Sequence, residues 1–367
     1  MKILQLTYSL SSGGAERFVV DLSNELSKTH EVHLVAILDD EVGENGFYRE
    51  EISSKVKYRS LKHGRGFSFL KLISLYKIVR QINPDIVHFQ GVNIIFFFLH
   101  VILFDRRPKY IETLHSKAEV IFTLKRLSFI TKLIYRLGLV HLCTISKENQ
   151  ESVERVCGIY NTTLVYNARA LPQGSDSFES VKREIETFKK SNADKVFIHI
   201  GRFSELKNQG MLVRAFNSLN KKGYDFTLLI FGSGFDEAHE LKKIACPRIH
   251  FLGVKHNITD YLMCADAFCL TSLVEGMPIS LIEALYCGCY PICTPVSGPI
   301  DVIQDAHIGV LSSSFDEKSY LKVLELFLHR NDSVNREKLR QFALSMFSIE
   351  GCASNYLSVY KKRNDQV

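Results

Sequence analysis

The sequence predicts an α/β protein built from two doubly wound, parallel-sheet halves. Three observations lead there. Short apolar runs alternate with amphipathic stretches along the whole chain, as in proteins whose parallel strands are joined by crossover helices. The strand, glycine-containing loop, helix opening at residue 2 recurs near residue 195. Between the two, from Leu171 to Asp194, the chain turns polar and carries Pro172, Gly174 and a charged stretch, which reads as a connection followed by a surface helix.

In the first half, strands are expected at Lys2 to Leu6, Glu31 to Ile37, Asp85 to Phe89, Lys109 to Thr113, Leu139 to Thr144 and Leu164 to Asn167. In the second they are expected at Lys195 to Ile200, Phe226 to Phe231, Ile249 to Phe251, Ala267 to Leu270 and Tyr290 to Cys293, with an amphipathic helix from Gln209 to Leu219. Open parallel sheets bind ligands beyond the carboxyl ends of their strands, so two such halves predict one site in a cleft between them.

Composition narrows the function. The 367 residues are 46% hydrophobic with a net charge of +6, which is globular and too mildly basic for a chain whose main task is polyanion binding. Nine scattered cysteines do not form a disulfide framework, so a reducing cytoplasm is expected. The apolar run Val92 to Phe104 is shorter than the ~18 residues of a spanning helix, and no transmembrane segment is predicted.

The richest segment runs from Thr271 through Glu275, Gly276, Met277, Pro278, Ile279 and Ser280 to Glu283. It follows a buried strand and opens a helix, whose free N–H groups at Ile279, Ser280 and Leu281 suit an anion. Pro278 fits the first turn, where a missing N–H costs nothing. Glu275 precedes the helix and Glu283 lies within it, so the two carboxylates can hold different hydroxyl-bearing parts of one ligand; macrodipole complementation and solvation are the plainer reading. In the loop after the second half's first strand, Arg202 can fork phosphate oxygens and Lys207 adds a point charge, a pairing suited to a diphosphate leaving group.

Ser11-Ser12-Gly13-Gly14 joins the first strand to its helix and allows close backbone approach to a phosphate. Neither this loop nor Gly232-Ser233-Gly234 supplies the dinucleotide fingerprint, which disfavours NAD. His115 closes the strand beginning at Lys109 and is placed to meet a sugar hydroxyl. Cys287, Cys289 and Cys293 read as core, and no paired carboxylates suggest a metal-held diphosphate. Lys125, Arg126, Lys132 and Arg136 interleave with leucine, isoleucine and phenylalanine, with Arg106 and Arg107 nearby in sequence, a composition for either a sheet-covering helix or one resting on an anionic membrane.

Taken in order, these motifs resemble the large retaining glycosyltransferase family four, over nearly the whole chain. The most specific part is Glu275-x7-Glu283 with the following Glu-Ala-Leu-Tyr-Cys-Gly-Cys-Tyr-Pro-Ile-Cys-Thr. The resemblance implies the GT-B architecture, two Rossmann-like domains facing across a cleft: residues 1–168 binding acceptor, 169–347 binding donor, and a helix from about 348 to 367 packing back on the first. It implies a nucleoside diphosphate sugar donor, UDP foremost, no metal or other cofactor, and retention of configuration. Arg202 and Lys207 would hold the diphosphate, Glu275 the donor sugar, Glu283 the ribose, His115 the transferred sugar, Gly14 the phosphate side, and Gly253 and Val254 the base. Pro278 departs from the glycine many members carry and removes one amide donor. Expected partners are the nucleotide sugar, a glycan or lipid-linked acceptor for surface polysaccharide such as capsule or lipopolysaccharide, and an anionic membrane at the inner face of the plasma membrane, with no nucleic acid. A nucleotide-sugar epimerase or a non-catalytic nucleotide-sugar-binding protein of the same fold are the alternatives.

Overall fold

A computed structural model describes residues 1–66, 68–91, 101–103, 105–121, 125–330 and 333–362, without the side chains of 120–121 and 125–128. The chain divides into two compact units, one of Met1–Ala170 with Phe347–Val367 and one of Leu171–Met346.

The first unit is a parallel sheet of β1 (Lys2–Thr7), β2 (Glu31–Leu38), β3 (Lys57–His63), β4 (Ile86–Gln90), β5 (Lys109–Leu114), β6 (His141–Thr144) and β7 (Thr163–Leu164), in the order 3-2-1-4-5-6-7. The second holds β8 (Lys195–Ile200), β9 (Phe226–Phe231), β10 (Ile249–Gly253), β11 (Ala267–Leu270), β12 (Tyr290–Cys293) and β13 (Val310–Leu311), in the equivalent order 10-9-8-11-12-13. Every strand pairing among the described residues is parallel. Helices covering both faces explain why the central strands read as apolar runs rather than alternations.

β3 was not expected. As an edge strand with the sequence Lys-Tyr-Arg-Ser-Leu-Lys-His and no fully buried residue, it lacks the apolar signal of an inner strand. The strand expected at Leu164 to Asn167 is instead the two-residue β7, after which Val165 N–H still donates to Thr144 O at 2.8 Å.

One core of the first unit gathers Leu75, Ile78, Val79 and Ile82 from the helix Phe69–Ile82, Val101 and Ile102, and Ile134 and Tyr135 from the helix Lys125–Arg136, against β1, β2, β4, β5 and β6. These helices therefore share one face of the sheet. No helix among the described residues is long and apolar enough to cross a membrane.

The chain comes back to the first unit as the helix Ile349–Lys361, capped by Ser348, whose side chain accepts from Gly351 N–H. Arg169 fastens this return. Its N–H donates to Phe347 O at 3.1 Å, and its guanidinium donates to Asp21 Oδ2 at 2.8 Å inside the first unit. Both side chains are almost wholly buried, and burial raises the Asp21 pKa against the lowering pull of Arg169. Removing one partner strands a buried charge. Arg169→Ala is expected to cost about 3–5 kcal/mol in urea unfolding, whereas replacing both Arg169 and Asp21 by apolar residues of similar size costs much less; equal losses from the two changes would contradict this account.

Candidate functional site

In the second unit the chain's direction of travel across the sheet reverses beside β8, which lies between β9 and β11. The loops after β8 and β11 thus emerge side by side at the carboxyl ends of adjacent strands, the place where such sheets bind ligands. The first loop carries Arg202 and Lys207, the second Glu275. The fold brings two of the expected residues into contact: Lys207 Nζ lies 2.5 Å from Glu275 Oε1, which also accepts from Ser272 Oγ at 2.6 Å. Arg202 is exposed.

The 201–208 loop is held on all sides. Gly201 N–H donates to Phe231 O at 2.9 Å and Phe203 N–H to Ser233 O at 2.8 Å. Gly232, at φ 141°, passes so close that a Cβ would stand 2.1 Å from Gly201 O, so glycine is required there. Gln209 Nε2 donates to Arg202 O at 2.9 Å and lies 3.3 Å from His199 Nε2, while His199 Nδ1 faces Cys269 O at 2.9 Å. His199 therefore carries its proton on Nδ1 and accepts at Nε2. Neither residue stood out in the sequence, where a histidine inside an apolar strand and a first-turn glutamine carry no motif.

Pro278 is the cap of the helix Ile279–Tyr286 rather than its first residue. The Leu281 N–H, expected to be free, donates to Pro278 O at 3.2 Å, because the first turn closes tightly. Gly276 O accepts from Gly298 N–H at 2.6 Å, fixing the 275–278 turn. Met277 and Ile279 are buried, Ser280 is half-buried and Glu283 is buried. Gly253 ends β10 at φ 68°, with its carbonyl accepting from Gly232 N–H, and Val254 follows. Cys287, Cys289 and Cys293 are buried, and among the described residues no cluster of three His, Cys, Asp or Glu could hold a metal ion.

The first unit repeats the arrangement around β1, between β2 and β4. Gly13 caps the helix Gly14–Leu26, and Ser11 Oγ donates to Glu16 Oε1 at 3.3 Å. His115 directly follows β5; its Nε2 lies 2.8 Å from Gln90 Oε1 and its ring stands edge-on to Phe18 at 5.7 Å.

The basic stretch differs from a free cationic face. Lys132 Nζ donates to Val156 O at 2.8 Å and Arg136 to Cys157 O at 2.6 Å. Both satisfy carbonyls left open at the end of the helix Lys147–Cys157. Arg107 pairs with Asp105, Arg106 is exposed, and the side chains of Lys125 and Arg126, with Leu124, lie outside the described residues.

Burial holds His88 neutral down to about 3 and His199 down to about 4. The unfolded chain protonates both near pH 6.5, so their contribution is fully present above that pH and is lost as pH falls toward the folded values. Each should lower the unfolding free energy by up to about 1.4 kcal/mol per pH unit in that window. Urea unfolding at pH 7, 6 and 5 should show a shallower decline in His199→Gln than in wild type, and an unchanged slope would refute the assignment.

Both halves of the chain match models of known families. Residues 180–345 match the family model for glycosyl transferases group 1, and residues 12–169 that for glycosyltransferase family 4. A GalNAc-alpha-(1->4)-GalNAc-alpha-(1->3)-diNAcBac-PP-undecaprenol alpha-1,4-N-acetyl-D-galactosaminyltransferase of Campylobacter jejuni is 30% identical over 359 residues, 93% of each chain. A second enzyme of that organism, an N-acetylgalactosamine-N,N'-diacetylbacillosaminyl-diphospho-undecaprenol 4-alpha-N-acetylgalactosaminyltransferase, is 28% identical over 95% of this chain and 97% of its own. The crystal structure of Anabaena Alr3699/HepE in complex with UDP and glucose has the same fold, with a TM-score of 0.81 at 16% identity, covering 99% of this chain and 100% of that one.

Proposed function

Because the chain belongs to the GT-B glycosyltransferases that join a family 4 domain to a group 1 domain, enzymes that move a sugar from a nucleoside diphosphate sugar to an acceptor, we propose that its donor is a UDP-linked N-acetylhexosamine and its acceptor a glycan on a polyprenyl diphosphate. The observation that carries the reading is the Lys207 and Glu275 pair at the switch point of the second unit. The undecaprenol-linked acceptors in the names of the two Campylobacter relatives favour the lipid carrier.

In this reading the second unit holds the donor. Arg202, Lys207 and the amides of Met277, Ile279 and Ser280 carry the diphosphate, whose charge grows as the glycosidic bond breaks, so their stabilisation is greatest in the transition state. No metal is required, since these groups supply the positive charge. The incoming diphosphate draws Lys207 from Glu275, freeing that carboxylate for the hydroxyls of the donor sugar. Glu283 takes the ribose and Gly253 and Val254 line the base, while Gly14 and His115 belong to the unit that binds the acceptor. The acceptor hydroxyl attacks from the face the diphosphate leaves, giving its proton to a diphosphate oxygen and retaining configuration.

Glu275→Ala should lower turnover ten- to a hundredfold, about 1.5–3 kcal/mol, with little change in UDP affinity, while Glu283→Ala chiefly weakens UDP. Calorimetric UDP titration in EDTA beside turnover of UDP-N-acetylgalactosamine tests this; UDP binding abolished by the chelator removes the metal-free mechanism, and equal affinity losses remove the division of roles.

The enzyme works in the cytoplasm at the inner face of the membrane in this reading. Support comes from the outer side of one helical layer, where Phe69, Leu70, Ile73 and Tyr76 are exposed on one helix and Phe129, Ile130 and Leu133 on another, with Leu137 just past its end. Exposed Lys77, Arg80 and Arg106 add positive charge, and an apolar face with basic neighbours suits an anionic bilayer. Sedimentation with phosphatidylglycerol-containing vesicles should capture the protein, less so as salt rises, and Phe69, Leu70 and Ile73 changed together to serine should abolish capture. Wild type that stays in the supernatant overturns the membrane reading.

A further inference from the structure

We infer that the hydroxyl of Tyr360, on the helix that returns from the second unit, positions the imidazole of His115 as a hydrogen-bond acceptor for a sugar hydroxyl. The inference rests on the role proposed for His115 and adds to it the residues that set the imidazole's state.

The middle of a parallel sheet covered on both faces is ordinarily apolar. Here β1, β4 and β5 bury Gln5, His88, Gln90 and Thr113, all at 6% exposure or less. Tyr356 and Tyr360 of the helix Ile349–Lys361 reach them. Tyr360 OH lies 3.2 Å from Gln5 Nε2 and 2.8 Å from His88 Nδ1. Gln5 Oε1 accepts from Gln90 Nε2 at 3.0 Å, and Gln90 Oε1 faces His115 Nε2 at 2.8 Å. On the other branch His88 Nε2 meets Thr113 Oγ1 at 2.8 Å, and Thr113 Oγ1 meets Tyr356 OH at 2.8 Å.

Donors and acceptors have a consistent direction along this chain. Gln5 Nε2 donates to the phenol oxygen of Tyr360, and the Gln90 amide nitrogen, 3.4 Å from His88 Nε2, needs an acceptor there, so His88 carries its proton on Nδ1 and gives it to the same oxygen. Gln5 then has only its carbonyl for Gln90, and Gln90 only its carbonyl for His115. His115 must donate through Nε2–H, which leaves Nδ1 as a lone pair. That Nδ1 is buried and has no protein partner among the described residues. A buried acceptor left open beside the carboxyl end of β5 fits the O–H of a sugar, and a carbonyl or phosphate oxygen would meet it lone pair to lone pair. Phe18, edge-on to His115 and 6.2 Å from the ring of Tyr356, restrains the imidazole from the side. Burial keeps His115 neutral to about 4, so the tautomer rather than the charge is what the chain sets near pH 7.

Tyr360→Phe keeps the ring and removes the acceptor, after which the two glutamine amides are free to turn over. In histidine-15N-labelled protein, with the His115 signals identified by their loss in His115→Gln, wild type should show the Nε2–H form and Tyr360→Phe a mixture of both tautomers. Turnover of UDP-N-acetylgalactosamine should fall about tenfold in Tyr360→Phe without loss of UDP affinity, and not fall further when Tyr360→Phe is added to His115→Gln. A tautomer unchanged in Tyr360→Phe, or losses that multiply in the double variant, overturns the inference. If Tyr360→Phe lowers the thermal midpoint, Gln90→Met breaks the same chain next to His115 and must give the same mixture. Should His115→Gln leave turnover intact while the tautomer still responds to Tyr360→Phe, the chain sets His115 as described and it is the role of His115 at the sugar that falls.

Discussion

A parallel sheet whose crossovers change direction beside one strand cannot close over that strand's carboxyl end, because the loops on either side leave toward opposite faces. Both units are built on this constraint, with the reversal beside β1 in one and β8 in the other. Lys207 and Glu275, 68 residues apart, meet because their loops follow adjacent strands, and His115 stands near Gln90 because β4 pairs with β5.

The polar groups that support the sites carry a cost that the fold meets in two ways. In the second unit His199 and Gln209 satisfy one another while bonding Cys269 O and Arg202 O, so a buried imidazole becomes a strut for the 201–208 loop. In the first unit the buried chain from Tyr360 to His115 draws on a helix that belongs to the far end of the sequence. A polar network of this kind offsets its desolvation through the hydrogen bonds it makes, and the Arg169 and Asp21 pair secures the segment that delivers Tyr356 and Tyr360.

The departures from the sequence reading share a cause. β3 lies at the edge, where half its surface meets solvent and the apolar signal fades. Leu281 N–H turned inward because the first helical turn closed on Pro278 O. Lys132 and Arg136 look like a membrane-facing charge pattern in one dimension, yet in three dimensions they answer open carbonyls of the neighbouring helix. The exposed apolar side of Phe69–Ile82 has no mark in the sequence, because packing alone sets which of its apolar residues turn outward.

What the sequence determined by itself was local or periodic: the alternation of strands and helices, the repeated opening of the two halves, and the Glu275-x7-Glu283 and Arg202 to Lys207 motifs, each held within a few residues whose spacing sets their geometry. Tertiary structure alone decided which groups meet. The pairing of Lys207 with Glu275, the tautomer imposed on His115 by Gln90, and the reach of Tyr360 to Gln5 across 355 residues all depend on strand order and on where the last helix packs. Those contacts leave no periodicity in the sequence, because each joins single residues that only the folded sheet brings within hydrogen-bond distance.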